Sequence, residues 1–421
     1  MSELRALTGA RGLAAWVVVL YHIRESIAGL PVPAERVLAK GYLAVDFFFL
    51  LSGFVIWLTW GRKLHEQGAA GVPRFWQKRI ARVWPLHALM LAFGVALAAT
   101  LALTGRSDPA FPFAELPLHL VLIQNWGLTD ALRWNNPAWS ISCEAAAYLL
   151  FPLLACRIDW RRLSSATLVA IAAALLLGLH LVMRGEPSLG ADIPRFGVVR
   201  CLAEFGCGTI VAALYLRRPP VVAPLAIAGV ALAAWALGAT ETLTIPAAFA
   251  ALLLVLALTA GRRGHPLAGR LIHYLGDISY ATYLSHYLLW KAFKLAFVTD
   301  ADAVSPLGVA AYLLLVLAAS VLLYHCWERP AQRLLNRAPL DGKKPGGGYA
   351  SAIASVSAWM IALLKAGVSS GQRLVMRFSS TTTSSSLTTS APAFSRSVRI
   401  DSNPVTRRPS TTSASTRSQG A

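Results

Sequence analysis

The sequence predicts an all-α integral membrane protein of about ten transmembrane helices, with both termini in the cytoplasm. Three observations predict it. Of the 421 residues, 56% are hydrophobic and 14% charged, at a mean hydropathy of +0.55, more apolar surface than a soluble domain of this size hides. The apolar runs recur at the length needed to cross a hydrocarbon core about 30 Å thick, roughly 20 residues at about 1.5 Å each. Basic residues collect in every second loop, the pattern that positive-inside insertion produces. That pattern also accounts for the net charge of +19 without a nucleic-acid partner.

The expected spans are residues 10–28, 41–60, 80–104, 138–156, 164–183, 197–216, 221–238, 243–260, 273–296 and 305–326. The first run begins directly after the N-terminus and has no small-residue cleavage site, so it is read as a span and not a signal peptide. Cytoplasmic loops are assigned from Arg62, Lys63, Arg74, Lys78, Arg79 and Arg82, then Arg157, Arg161 and Arg162, then Arg217 and Arg218, then Arg262, Arg263 and Arg270, then Arg329, Arg333 and Arg337. The intervening loops hold fewer cations and face outward. The longest of these, residues 105–137, carries Asn125, Trp126, Trp134, Asn135 and Asn136. Rings beside amides suit a sugar, while tryptophans also anchor helices at the membrane interface; both readings stand. The five cysteines form no CxxC pair and read as small apolar residues, so neither disulfides nor a metal site is expected. Residues 1–338 are expected to form the membrane domain. From 339 to 421 the composition turns to Gly, then Ser and Thr with Arg, as expected of a low-complexity, disordered cytoplasmic tail whose apolar patch at 350–365 lies on the membrane surface.

The chemistry-bearing residues begin in span one, where residues 7–22 read LTGARGLAAWVVVLYH. At 100° per residue, Arg11 and His22 return to within about 20° of one helix face, roughly 16 Å apart along the axis. His22 then lies near the middle of the membrane, where an ionisable side chain is by default a functional-site hypothesis, against the plainer reading of a satisfied core histidine. Spans two and four place Asp46 and Glu144 in the outer half, so both carboxylates are expected to share a cleft with His22; a structural ion pair would satisfy either one. Arg79 and Arg82, three apart, share a helix face and with Arg11 would hold phosphate groups, although anchoring at the inner surface also explains them. Span nine has a polar stripe of Asp277, Ser279, Tyr280, Tyr283 and His286, with His286 either a second base or a packing histidine. Asp46, Ser142, Tyr283 and His286 are the secondary, substrate-side candidates. Arg200 and Glu204, four apart in span six, are expected to pair with each other.

Taken together, the motifs resemble a known family. Arg11 to His22, VDFFFLLSGF of span two, RIARVWPL of span three, WSISCEAAAYLLFP of span four, ISYATYLSHYLL of span nine and the closing Glu328-Arg329-Pro330 are similar to those of the membrane-bound acyltransferase family 3, best known from bacterial O-antigen and exopolysaccharide O-acetylases. The resemblance covers residues 4–335. It implies that Arg11 and His22 are essential and His22 catalytic, that Arg79 and Arg82 are the RxxR pair, and that Glu144 is the glutamate following the WS-x-S motif. It further implies acyl-CoA, expected to be acetyl-CoA, as co-substrate without a metal. The acceptor would be a cell-surface or exported glycan or a lipid-linked sugar, and the location the bacterial cytoplasmic (inner) membrane among membrane lipids. The chain departs from the family at Thr8, where members often carry an aspartate, and at Ser285, where they carry a tryptophan. No SGNH-type extracytoplasmic domain is recognisable after the last span, so transfer is expected to finish in the membrane domain or pass to another protein. In this layout His22 acts as general base or transient nucleophile, with Glu144 orienting its ring. A transporter or exporter of a glycan or lipid precursor is the competing class; it usually shows internal repeats, and none is visible.

Overall fold

The computed structural model describes residues 4–337 apart from 107, 263, 301 and 302. The tail expected over 339–421 lies outside the described residues. Among those residues the chain is helical, and its extended pairing is a single bridge between Ile27 and Val304. Each expected span falls on a helix: α1 (Arg5–Ile23), α2 (Ala44–Ile56, prolonged through Trp57–Gly61 and Arg62–Gln67), α3 (Val72–Leu103), α4 (Ala138–Arg157), α5 (Ser165–Val182), α6 (Ile193–Leu216), α7 (Val222–Ala236), α8 (Glu241–Thr259), α9 (Ser279–Phe297) and α10 (Pro306–Leu323). Among the described residues, seven helices are long and apolar enough to cross a membrane, one of them a run from Val32 to Leu103 that takes in both α2 and α3. Of the other two, α7 is apolar but has 15 residues, and α9 carries the polar stripe. The chain is therefore an all-α, multi-pass membrane protein.

Helix α1 differs from its expected bounds by about a turn. It starts at Arg5 and stops at Ile23, because the chain then tightens into a 3₁₀ turn over Arg24–Ser26, and the next residues pair with the segment before α10 through Ala28 N–H to Val304 O, 3.0 Å, and Val304 N–H to Ser26 O, 2.8 Å. With 19 residues it is about 28 Å long, one membrane thickness. His22 consequently lies in its last turn, about 16 Å along the axis from Arg11.

Two crossings set the arrangement. Gly53 of α2 faces the Phe205 carbonyl of α6, and Gly208 of α6 faces the Leu50 carbonyl of α2; a Cβ on either glycine would lie 2.0 Å from that oxygen. Lipid gives apolar helices no hydrophobic reason to associate, so small residues that allow backbone approach hold such a pair together. Likewise α1 crosses the short helix Arg270–Asp277 ahead of α9, where a Cβ on Gly276 would lie 2.0 Å from the Thr8 carbonyl. α2 and α6 are buried on most faces. By contrast α5, α7 and α10 bury few residues and turn Val169, Leu177, Val230, Leu314 and Leu322 outward, as helices facing acyl chains do.

The 105–137 loop folds back onto the end of the bundle where α1 terminates. Trp134, expected either to stack on sugar or to anchor at the membrane interface, is instead packed inside the loop: it is 1% exposed, packs on Phe111 and Phe113 and donates from Nε1 to the Pro112 carbonyl, 3.0 Å. Three bonds tie the loop to α9: Asn135 Nδ2 to Leu284 O, 2.8 Å, Tyr283 OH to Pro137 O, 3.2 Å, and Lys291 Nζ to Asp108 Oδ2, 2.7 Å.

Candidate active site

The crossing at Gly276 fixes one end of the site. Arg11, one helical turn from Thr8, donates from Nη2 to the Gly276 carbonyl, 2.8 Å, and feels the charges of Arg82, Glu328 and Asp277. Arg82, on α3, pairs with Glu328 and lies over the Tyr280 ring at 5.4 Å. Glu328 closes a π-helical turn, Tyr324–Glu328, and such a widened turn shifts the following side chains around the helix; here it leaves Glu328 only 2% exposed and against Arg82. Arg79 lies over the Tyr148 ring at 5.9 Å. The sequence expectation that Arg11, Arg79 and Arg82 converge thus has a structural counterpart in Arg11 and Arg82 around Glu328, with Arg79 one turn away on α3. Arg11 Nε and Arg79 Nε are both buried without a hydrogen-bond partner.

Glu144 belongs to this arginine end. It accepts from Ser52 Oγ and from Tyr148 OH, the latter at 2.5 Å, and Tyr148 feels both Glu144 and Arg79. Its expected role as the group that orients His22 is therefore corrected. The reason is α3, whose second turn carries Arg79 inward to the Tyr148 ring, so the carboxylate is engaged at this cluster.

At the other end His22 meets His286 of α9. The rings stand 4.9 Å apart between centroids, with His286 Nε2 3.2 Å from His22 Nδ1. His22 Nδ1 is also 2.9 Å from the Val18 carbonyl, and His286 Nδ1 is 3.2 Å from the Thr282 carbonyl. Tyr287 packs edge-on to the His22 ring at 5.6 Å, and Asn136 comes within hydrogen-bonding reach of it. Tyr283 is locked between Ser140 Oγ, 2.7 Å, and the Pro137 carbonyl, and its ring lies 6.2 Å from that of His286. The i, i+3, i+6 stripe Tyr280, Tyr283, His286 on α9 thus runs from Arg82 to His22.

Three other expectations are corrected. Asp46 is fully buried in a bidentate pair with Arg200, 2.5 and 2.6 Å, so it is a helix-to-helix tie between α2 and α6 and not a substrate residue; Arg200 accordingly reaches across to Asp46 and does not pair along its own helix with Glu204. Ser142 donates to Leu122 O, 2.9 Å, and accepts from Asn125 N–H, 3.2 Å, which pins the loop. Sequence reading passed over the pairing of His286 with His22, the approach of Asn136, and the Arg82–Glu328 pair. Glu328 stood in a quoted motif but carried no signal of its partner, 246 residues away.

Against known proteins, the acyltransferase domain of family 3 (Acyl_transf_3) matches residues 4–325, nearly all of the described chain. The chain belongs to acyltransferase family 3. Acyltransferase MdmB of Streptomyces mycarofaciens is 31% identical over 376 residues, 80% of this chain and 93% of that protein, so the likeness runs through the whole membrane domain. Protein 2 in picA locus of Rhizobium radiobacter is 30% identical over 184 residues, 41% of this chain and 91% of that protein. O-acetyltransferase OatA of Staphylococcus aureus (strain NCTC 8325 / PS 47) is 25% identical over 157 residues, 36% of this chain and 24% of that protein. No solved structure matches. Membership of family 3 and the named acyltransferases among its relatives make this protein a membrane O-acyltransferase.

Proposed function

We propose that the protein moves an acyl group, expected to be acetyl, from cytoplasmic acyl-CoA to a hydroxyl of a cell-surface or exported glycan or a lipid-linked sugar. It would do so in the bacterial cytoplasmic membrane, through ten spans with both termini inside. The observation that carries this reading is α1 itself: one membrane-length helix bears Arg11 among the arginines at one end and His22 beside a second histidine at the other. Phosphates of the donor bind Arg11, Arg79 and Arg82 through charge-assisted hydrogen bonds, and its thin acyl-bearing arm extends along α1 toward His22. His22 takes the proton of the acceptor hydroxyl as the oxygen attacks the thioester carbonyl. The C–O bond forms, the C–S bond breaks, and the proton passes to the departing thiolate. An acyl-imidazole route through His22 uses the same groups and gives the same products.

Purified protein given acetyl-CoA should release free thiol, faster with a glycan acceptor present. Because a general base contributes about 10²- to 10⁴-fold in rate, His22→Ala should lose transfer by that much while still binding donor. Near-normal turnover by a well-folded His22→Ala variant refutes the assignment. No thiol release and unchanged acyl content of surface glycans in cells lacking the gene would instead support a transporter.

A further inference from the structure

Both histidines at the end of α1 contact backbone carbonyls, and a carbonyl oxygen only accepts. His22 Nδ1 is 2.9 Å from Val18 O and His286 Nδ1 is 3.2 Å from Thr282 O, so each contact is a hydrogen bond only if that Nδ1 carries the proton. In a neutral ring the lone pair then falls on Nε2. His286 Nε2, 3.2 Å from His22 Nδ1, is left as an acceptor aimed at the shared proton. The reverse arrangement, with His286 Nε2 donating, would set His22 Nδ1 against Val18 O and His286 Nδ1 against Thr282 O, lone pair to lone pair in both cases. One tautomer pair satisfies all three contacts.

We infer that His286 is a positioning residue that, with the Val18 carbonyl, fixes the tautomer of His22 and so makes Nε2 of His22 the reacting nitrogen. The inference rests on the acyl-transfer reading of His22. When Nε2 takes the acceptor's proton, the ring becomes an imidazolium whose Nδ1–H is a stronger donor, and His286 Nε2 accepts from it without moving. His286 itself is held from three sides: its own Nδ1 on Thr282, the Tyr312 hydroxyl on its carbonyl at 2.8 Å, and the Tyr283 ring. It is fully buried. In this arrangement a neutral ring does what a carboxylate does in a Ser-His-Asp triad, with no second charge placed in the membrane.

The test is a set of three variants assayed for kcat and for the KM of acetyl-CoA. His286→Gln carries an amide oxygen at the reach of Nε2 and should retain most of the rate. His286→Met has similar bulk and no acceptor of that strength; losing a hydrogen bond to a charged group should lower kcat about 10- to 100-fold with KM unchanged. His286→Asn, whose amide is too short to reach His22, should behave like the Met variant, which keeps the comparison available if Met fails to fold. Gln and Asn losing rate equally in folded protein, or all three retaining it, overturns the inference while leaving acyl transfer at His22 intact. Wild-type protein that releases no thiol overturns the functional reading and takes this inference with it.

Discussion

Removing the Arg200 guanidinium while keeping its bulk, as in Arg200→Met, tests whether the Asp46 pair is a tie or part of the chemistry. Arg200 is 1% exposed and Asp46 0%; the guanidinium makes two bonds to the carboxylate and a third to the Leu189 carbonyl, 2.8 Å. All three vanish together, leaving a buried carboxylate with Glu204 beside it. Breaking a buried pair on one side costs about 3–5 kcal/mol, and a stranded carbonyl adds about 1–3 kcal/mol, against a whole-protein stability on the order of 5–15 kcal/mol. Arg200→Met should therefore fall sharply in yield and in unfolding temperature in detergent. The paired change Asp46→Leu with Arg200→Met should recover much of the loss, because no charge is then left uncompensated. Thermal unfolding followed by tryptophan fluorescence, with thiol release measured on the same samples, separates the outcomes. If Asp46→Asn unfolds at the wild-type temperature yet abolishes transfer, the structural assignment is wrong and Asp46 returns to the active site.

At the arginine end, Arg79→Ala should raise the KM for acetyl-CoA with a smaller change in kcat; an unmoved KM in folded protein removes Arg79 from donor binding. Gly208→Ala would push a methyl to 2.0 Å from the Leu50 carbonyl; overpacking of this kind costs about 1–3 kcal/mol or more, read as a lower unfolding temperature, whereas Gly238→Ala is no control for crowding because its φ is +96°. The latch of the 105–137 loop has a pH limit. Partial burial opposes ionisation of Asp108, but the Lys291 bond, the Ala110 N–H and the Lys291 charge outweigh it and hold the carboxyl below its usual range. A depressed folded value means the contribution is present above the unfolded carboxylate value of about 3.9 and lost as pH falls through the folded one, so protease protection of the loop should stay level from neutral pH to about 5 and drop below about 4. Asp108→Asn should flatten that drop.

The helices were legible because lipid makes the rule simple: every backbone group must be bonded within its own segment, so an apolar run of the right length is a helix. Arg11 and His22 were legible for the same reason, since periodicity places both on one face of a single helix. The partners were not. Asp46 and Arg200 lie 154 residues apart and His22 and His286 264 apart, and spacing within one helix says nothing of which neighbour it packs against. The pairing of Arg200 with Glu204 followed the i, i+4 rule, a weak preference, and lost to a bidentate fit across α2 and α6 that glycine-mediated approach brings within reach. The first span ends earlier than its apolar run because hydropathy does not sense the 3₁₀ turn at Arg24 or the bridge from Ile27 to Val304.

The fate of the carboxylates decides how charge is distributed in the site. Asp46 neutralises Arg200, Glu328 neutralises Arg82, and Glu144 is engaged by Ser52 and Tyr148 next to Arg79. Among the described residues no carboxylate hydrogen-bonds His22, so the group beside its ring is another ring. At the opposite end the arginines outnumber the carboxylate that touches them, and Arg11 Nε and Arg79 Nε point into buried space with no partner. Buried cationic donors left open in this way cost free energy until an anion satisfies them. In the function proposed above, the phosphates of the acyl donor would supply that anion, far from the reacting atoms. On that proposal, binding energy gained at the arginines would serve to hold the thioester at His22, where orientation counts for most.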